Sequence, residues 1–323
     1  MTSRAKFDAF LTEKAEDAGV EVKDRTQVTG IATHQSGCEV ITQNGSLQAR
    51  MVIGADGMGG PTARTSHLYE SWNPTQVAYA IESEVPVGED SVRNFIGEEE
   101  HFDIYFGVSP AGYGWVFPKN DHLTVGVGCR LSELKDAQGL FHSFLKVVPE
   151  LEGHEIPSPE AHLIPLGGAA RVPLATERLL LAGDSAGFAE PLLGEGIYFA
   201  ILSGQVAAGV TEQACRKDRF DRKSLRTYAQ QCQSKFGTDF DSAFRLASAS
   251  YLETYDMDRV GRIFFSDKRF HACMIGLMDG TVRYRDLQTK LLWPYLKYRL
   301  EKLRSSLPSG AHILKADLAY PKT

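Results

Sequence analysis

Two carboxylates stand where a strand pattern gives way to a glycine-rich turn. Asp184 follows the apolar run Leu179–Ala182 in LLLAGDSAGFAEPLLGEGIYFAILSG, and Asp56 follows the run V-I-G-A in VIGADG. A carboxylate there offers two acceptors to sugar or ribityl hydroxyls, at the strand end where open α/β sheets place their ligands. Beyond Asp184, a turn through Gly187, Pro191, Gly194 and Gly196 leads into Ile197, Ala200, Ile201, Gly204 and Ala208 at helical spacing. The amino end of that helix aims N–H groups and a partial positive charge at whatever lies beside Gly194–Gly196. A hydroxyl binder next to a helix terminus that favours an anion is a cofactor site in outline. A strand–turn–helix with glycines for tight packing is the plainer reading of the same spacing.

Two further constellations accompany these. Gly57, Gly59 and Gly60 let backbone approach a pyrophosphate or ribityl group, with Arg64 nearby to offset negative charge. In Tyr113-Gly114-Trp115-Val116-Phe117-Pro118, alternate residues share a strand face, so Tyr113 and Trp115 point the same way. They line an apolar pocket or fill a core.

The elements that hold these residues follow from periodicity. Phe7–Ala15 reads as a helix with Gly19 past its end, and Val20–Val22 as a short strand. Cys38–Thr42 and Leu47–Gly54 flank Asn44-Gly45, a strong hairpin signal. Leu179–Ala182 reads as a strand buried on both faces of a parallel sheet. Gln76–Val85, Asp103–Phe106 and His122–Cys129 alternate with period two and make a mostly antiparallel sheet over residues 75–165. From Val206 to Leu307 the pattern is helical, with Arg216–Arg226 as a solvated face. Leu291–Leu307 mixes aromatics with Lys297, Arg299, Lys302 and Arg304, which suits a packed terminal helix or a membrane-surface one.

Composition narrows the classes. With 35 Lys+Arg against 41 Asp+Glu, the net charge of −6 gives no bulk attraction for nucleic acid. Five cysteines without C-x-x-C spacing fit reduced core thiols in a cytoplasmic protein. The nine histidines form no H-E-x-x-H or H-x-x-x-H pair, so no metal site is expected. No apolar run approaches the roughly 20 residues of a spanning helix.

The two Asp motifs together resemble the flavin-binding motifs of the geranylgeranyl reductase family of FAD-dependent oxidoreductases, relatives of the flavin hydroxylases. Tyr113–Pro118 is similar to that family's Y-G-W-x-F-P motif, and Val125–Gly128 (V-G-V-G) to its companion strand. Arg4, Phe7, Asp8 and Leu11 resemble a helix carrying an Arg near the flavin; Ser often occupies the place of Gly60. The resemblance implies an α/β (α+β) fold, an FAD-binding three-layer ββα domain with an inserted antiparallel substrate sheet. The expected divisions are a partial FAD domain at 1–74, the substrate sheet at 75–165, a return to the FAD domain at 166–209 and a helical region at 210–323. It also implies a flavin site at Arg4, Asp56, Gly57, Gly183, Asp184, Gly194, Gly196 and Ile197, and an isoprenoid site at Tyr113, Trp115 and Phe117.

The implied activity is reduction of isoprenoid carbon–carbon double bonds by hydride transfer from reduced FAD, with NAD(P)H or a reduced ferredoxin-type protein as donor. The implied substrate is an isoprenoid or prenyl lipid; peripheral membrane contact is the alternative that Leu291–Leu307 leaves open beside a packed helix. The proton donor has no motif; Glu195, inside G-E-G, is the nearest candidate beside a purely structural role in the turn. A flavin monooxygenase or halogenase shares both Asp motifs, and a non-catalytic remnant binding lipid or a partner is the rival of another class. Halogenases carry W-x-W-x-I-P where this sequence has Tyr113 and Phe117. No G-x-G-x-x-G opens a helix near the amino terminus, where the family has one. The expectation is an amino-terminally truncated FAD domain that binds FAD weakly unless another chain supplies the unit. Its absent strand is expected to leave Leu179–Ala182 with an unpaired edge.

Overall fold

The computed structural model describes residues 3–68, 71–98, 101–167, 173–251, 272–273, 275–277, 280–290 and 312–317. The chain divides into two compact units. One consists of residues 2–76 and 164–241; the other of residues 77–163 with the described residues beyond 241.

The first unit begins with helix α1 (Arg4–Asp17), none of whose residues is buried. Val20–Val22 is not a strand. The Val20 N–H closes the helix instead, bonding Ala15 O at 3.0 Å, and both valines are exposed. A strand with no forerunner in the sequence reading, β1 (Val28–His34), pairs antiparallel with β2 (Gly37–Thr42), which pairs with β3 (Gly45–Ala49). Thr42 opposes Gly45, so the two-residue loop is Gln43-Asn44, one position before the expected pair. The Thr42 hydroxyl fastens it, accepting from Asn44 N–H at 3.2 Å and donating to Gly45 O at 2.8 Å.

The expected long second arm breaks after Ala49, and β4 (Val52–Gly54) joins another sheet. There it lies parallel to β11 (Leu179–Leu181), whose other neighbour is the antiparallel β10 (Ala175–Thr176). The three leucines of β11 are completely buried, each worth about 1.5–3 kcal/mol relative to exposure. The expectation of an unpaired edge on Leu179–Ala182 is therefore corrected, because β11 is central in its sheet. Among the described residues, the two edges of this sheet belong to β10 and β4. Helix α5 (Ile197–Lys217) and helix α6 (Arg222–Cys232) build the core over β11 with Phe188, Phe236 and Phe240. The buried Tyr228 hydroxyl of α6 donates to Leu181 O at 2.6 Å, tying helix to strand.

The second unit is a six-stranded sheet, ordered β12-β6-β7-β8-β5-β9. Its strands are β5 (Val77–Pro86), β6 (His101–Phe106), β7 (Gly112–Pro118), β8 (His122–Arg130), β9 (Glu160–Pro165) and β12 (His312–Asp317). The strand β12 departs from the helical region expected at 210–323; it pairs antiparallel with β6 and covers that edge. One face of the sheet, with Ile81, Val85, Tyr105, Val116, Val125 and Val127, forms a core. Helices α3 (Glu89–Ile96) and α4 (Ala137–Leu145) contribute Val92, Phe95, Phe141 and Phe144 to it. Among the described residues no helix is long and apolar enough to cross a membrane. Leu291–Leu307 lies outside the described residues.

Candidate functional site

In the first unit the turn after β11 is a short 3-10 helix, Gly183–Ala186. Gly183 has φ +57, and a Cβ there would stand 3.2 Å from the Ala200 Cβ. Its N–H donates to Ser203 Oγ at 3.0 Å. Glycine thus lets the turn fold down onto α5, and Asp184 arrives at the amino end of that helix. Asp184 Oδ1 lies 3.3 Å from where a Cβ on Gly196, the residue preceding α5, would be. Burial pushes the Asp184 carboxyl above the usual carboxylate range, and the positive charge of Arg4 pulls it partly back. Arg4 itself is exposed and paired with Asp8, Nη2 to Oδ2 at 3.1 Å.

Asp56 performs a second task in the same unit. Its Oδ2 accepts from Thr62 N–H at 2.8 Å, capping helix α2 (Pro61–Thr65). Its Oδ1 accepts from Ser185 Oγ at 3.0 Å, and the same hydroxyl lies 3.2 Å from Gly57 O. One serine therefore joins the two glycine–aspartate turns. Gly60 carries no side chain because a Cβ would fall 2.1 Å from Asp56 Cγ, whose carboxylate is fixed on both sides. Positions where a Cβ would meet nothing within 4 Å include Gly57, Gly59 and Gly194. Backbone is thus open to a ligand at both turns.

The loop between Asp184 and α5 folds around a residue that the sequence reading passed over. Glu190 is buried, and its carboxylate accepts from Leu192 N–H at 2.6 Å and Leu193 N–H at 2.7 Å. Glu195 Oε1 accepts from Tyr198 N–H at 2.8 Å and so caps the first turn of α5. Partial burial pushes that carboxyl up while the Tyr198 N–H pulls it down. Ile197 and Tyr198 are exposed, presenting apolar surface at the helix end.

The donor set fits a flavin. Asp184 offers acceptors of the kind that ribityl hydroxyls require, the end of α5 favours negative charge, and Ile197 exposes apolar surface. The signal for Ser185 and Glu190 was present in AGDSAGFAEP as polar residues inside an otherwise apolar and small-residue segment.

In the second unit, Tyr113, Trp115 and Phe117 stand on one face of β7, opposite the core. Ring centroids lie 5.8 Å apart for Tyr113–Trp115 and 6.2 Å for Trp115–Phe117. Phe106 and Phe102 of β6 extend the row, 6.1 Å from Tyr113 and 5.5 Å from Phe117. Gly114 points to the core, where a Cβ would meet the Phe144 ring at 2.4 Å. Trp115 opposes Gly126 of β8, and Gly126 opposes Glu82 of β5. The indole lies across Gly126, and Trp115 Nε1 donates to Glu82 Oε2 at 3.3 Å. In V-G-V-G the valines enter the core and the glycines make room for aromatic rings.

A profile of the geranylgeranyl reductase catalytic domain matches residues 89–156, the segment that carries β6 to β8 and α4. A digeranylgeranylglycerophospholipid reductase of Methanococcoides burtonii is 26% identical over 311 residues, covering 93% of this chain and 73% of that protein. The chain is similar to the geranylgeranyl reductase family in sequence and in fold. An uncharacterised protein of Methanosarcina barkeri is 32% identical over 70% of this chain and 56% of its own length. A geranylgeranyl bacteriochlorophyll reductase-like structure from Thermoplasma acidophilum superposes with a TM-score of 0.72 at 22% identity, over 80% of this chain and 66% of that one. The chain thus spans about half to three quarters of the length of the family members it matches.

Proposed function

We propose that this chain is the body of an FAD-dependent reductase that saturates carbon–carbon double bonds of geranylgeranyl-type lipids. The observation that carries this reading is the meeting of Asp184, Gly196 and the start of α5, joined through Ser185 to the turn at Asp56. When bound, reduced FAD supplies a hydride. Asp184 holds the ribityl hydroxyls and in doing so regains the hydrogen bonds that burial denies its carboxylate. The amino end of α5 would favour negative charge on a flavin held beside it. Glu190 and Glu195 keep the loop in shape, so neither is assigned to proton transfer.

The aromatic row from Phe106 to Phe102 takes the methyl-branched chain, whose burial against rings supplies affinity without polar recognition. Relatives named as digeranylgeranylglycerophospholipid reductases support a prenyl lipid as substrate. Such a substrate resides in a membrane, so the protein meets it there by peripheral contact. NAD(P)H or a reduced ferredoxin-type protein supplies the electrons. The adenosine and pyrophosphate of FAD are held by a strand–helix–strand segment pairing with the outer edge of β4, within one polypeptide or from another.

Stopped-flow absorbance tests the reading. Protein carrying reduced FAD is mixed without oxygen with a digeranylgeranyl lipid. Flavin reoxidation that depends on the lipid is expected. Reoxidation only on admitting oxygen would instead place the chain with the monooxygenases and halogenases.

A further inference from the structure

On the outward face of the sheet in the second unit, the strand register sets side chains in rows. Phe106 and Ile104 of β6 oppose Tyr113 and Trp115 of β7, and the Phe102 ring lies 5.5 Å from that of Phe117. On the other side of β7, Tyr113, Trp115 and Phe117 oppose Gly128, Gly126 and Thr124 of β8. Those three oppose Ala80, Glu82 and Glu84 of β5. The face therefore grades from rings on β6 and β7, across glycines on β8, to carboxyls on β5.

The middle row joins the two chemistries. A Cβ on Gly126 would stand 2.2 Å from the Trp115 indole and 2.8 Å from Glu82 Cβ. Glycine is what lets the ring cross β8 and reach the carboxyl, where Trp115 Nε1 donates to Glu82 Oε2 at 3.3 Å. Among the described residues, nothing donates to Glu82 Oε1. Glu84 differs, because it accepts from Thr124 Oγ1 at 2.7 Å and lies 3.0 Å from His122 Nε2.

Rings bury hydrocarbon whatever the hydrocarbon carries. A half-buried carboxyl at their margin adds a direction, since its second oxygen needs a polar partner. We propose that this face binds a prenyl lipid whose polar end carries a hydroxyl, with the chain on the rings of β6 and β7 and the hydroxyl hydrogen-bonded to Glu82 Oε1. This rests on the reading of the ring face as a prenyl site. The hydroxyl is that of a prenyl alcohol or the free one of a diprenylglycerol, and the recognition chemistry is the same.

The charges around Glu82 favour a neutral partner. Burial raises its pKa most, the Trp115 hydrogen bond lowers it, the Glu84 charge raises it, and the charges of His162 and Lys119 lower it. A hydroxyl suits the carboxyl in either protonation state, donating to the carboxylate or accepting from the acid. An ammonium group needs the ionised form, which burial disfavours. A phosphate in the same place would face the charge of Glu84 as well as that of Glu82.

NMR titration of the full chain tests this, read on the indole N–H signal of Trp115, which Trp115→Phe identifies. The probes are geranylgeraniol and digeranylgeranylglycerol, each set against its methyl ether in the same detergent micelles. The ether keeps the chain and loses the donor. At neutral pH wild type should bind one of the alcohols about 10-fold or more tighter than its ether. The pair that shows the preference identifies the source of the hydroxyl. In Glu82→Leu the alcohol and its ether should bind alike. Should Glu82→Leu fail to fold, Glu82→Gln takes its place, and the preference should shrink because an amide oxygen accepts less strongly than a carboxylate. Equal binding of both alcohols and their ethers by wild type would overturn the proposal and leave the prenyl reading standing. A preference that persists in full in the folded variant would do the same. Binding of none of the four probes would overturn the prenyl reading, and the proposal with it.

Discussion

Asp184 is a half-buried carboxyl whose charged form is disfavoured by burial and partly restored by the charge of Arg4. Replacing it with alanine should abolish most flavin binding and leave the fold intact, because the core over β11 does not depend on it. Flavin absorbance per protein after gel filtration measures this, and equal flavin content in variant and wild type would remove Asp184 from the site. The raised pKa also has a consequence for stability. The folded protein holds a proton at Asp184 above the pH where the unfolded chain releases it. This contribution to stability is present at low pH and is lost as pH rises from the ordinary aspartate range through the folded value. Asp184→Asn should flatten that part of the stability profile, measured by urea unfolding at a series of pH values. A variant whose profile parallels wild type would show that Asp184 is not perturbed.

The contacts between elements were less legible than the elements themselves. Asp184 and α5 could be read from LLLAGDSAG and the glycines after it, because a buried strand and a helix start each leave a local pattern. The link from Ser185 to Asp56 spans 129 positions and has no local signature. V-G-V-G disclosed a strand, but only the three-strand register showed that its glycines seat Trp115 and admit Glu82. The strand β1 has a weak signature because Gly30 interrupts its β-branched run, and β12 because its partner is more than 200 residues away: β12 begins at His312 and pairs with β6, which ends at Phe106. Ser185→Ala tests the link between the two turns. It leaves a buried site without its hydroxyl and frees Asp56 Oδ1, which should cost about 1–3 kcal/mol. Chemical denaturation measures the loss, and an unchanged midpoint would show that the two turns hold their places independently.

At the scale of the whole molecule, the two units carry different features of the proposed function: carboxylates and a helix terminus that suit a flavin in one, and an aromatic face that suits a prenyl chain in the other. The edges of the three-stranded sheet around Leu179–Leu181 lie at β10 and β4, and a further strand beside Val52–Gly54 would extend its parallel pair. Liposome flotation addresses the contact with lipid. Protein should float with vesicles containing a digeranylgeranyl lipid, and recovery wholly in the soluble fraction would contradict peripheral contact. The central claim is the saturation of prenyl double bonds. Mass spectrometry of a digeranylgeranyl phospholipid after anaerobic incubation with the protein, FAD and dithionite tests it most directly. The account predicts products heavier by two hydrogens for every double bond reduced. Recovery of the lipid unchanged, or of oxygenated or halogenated products formed only with oxygen present, would contradict it.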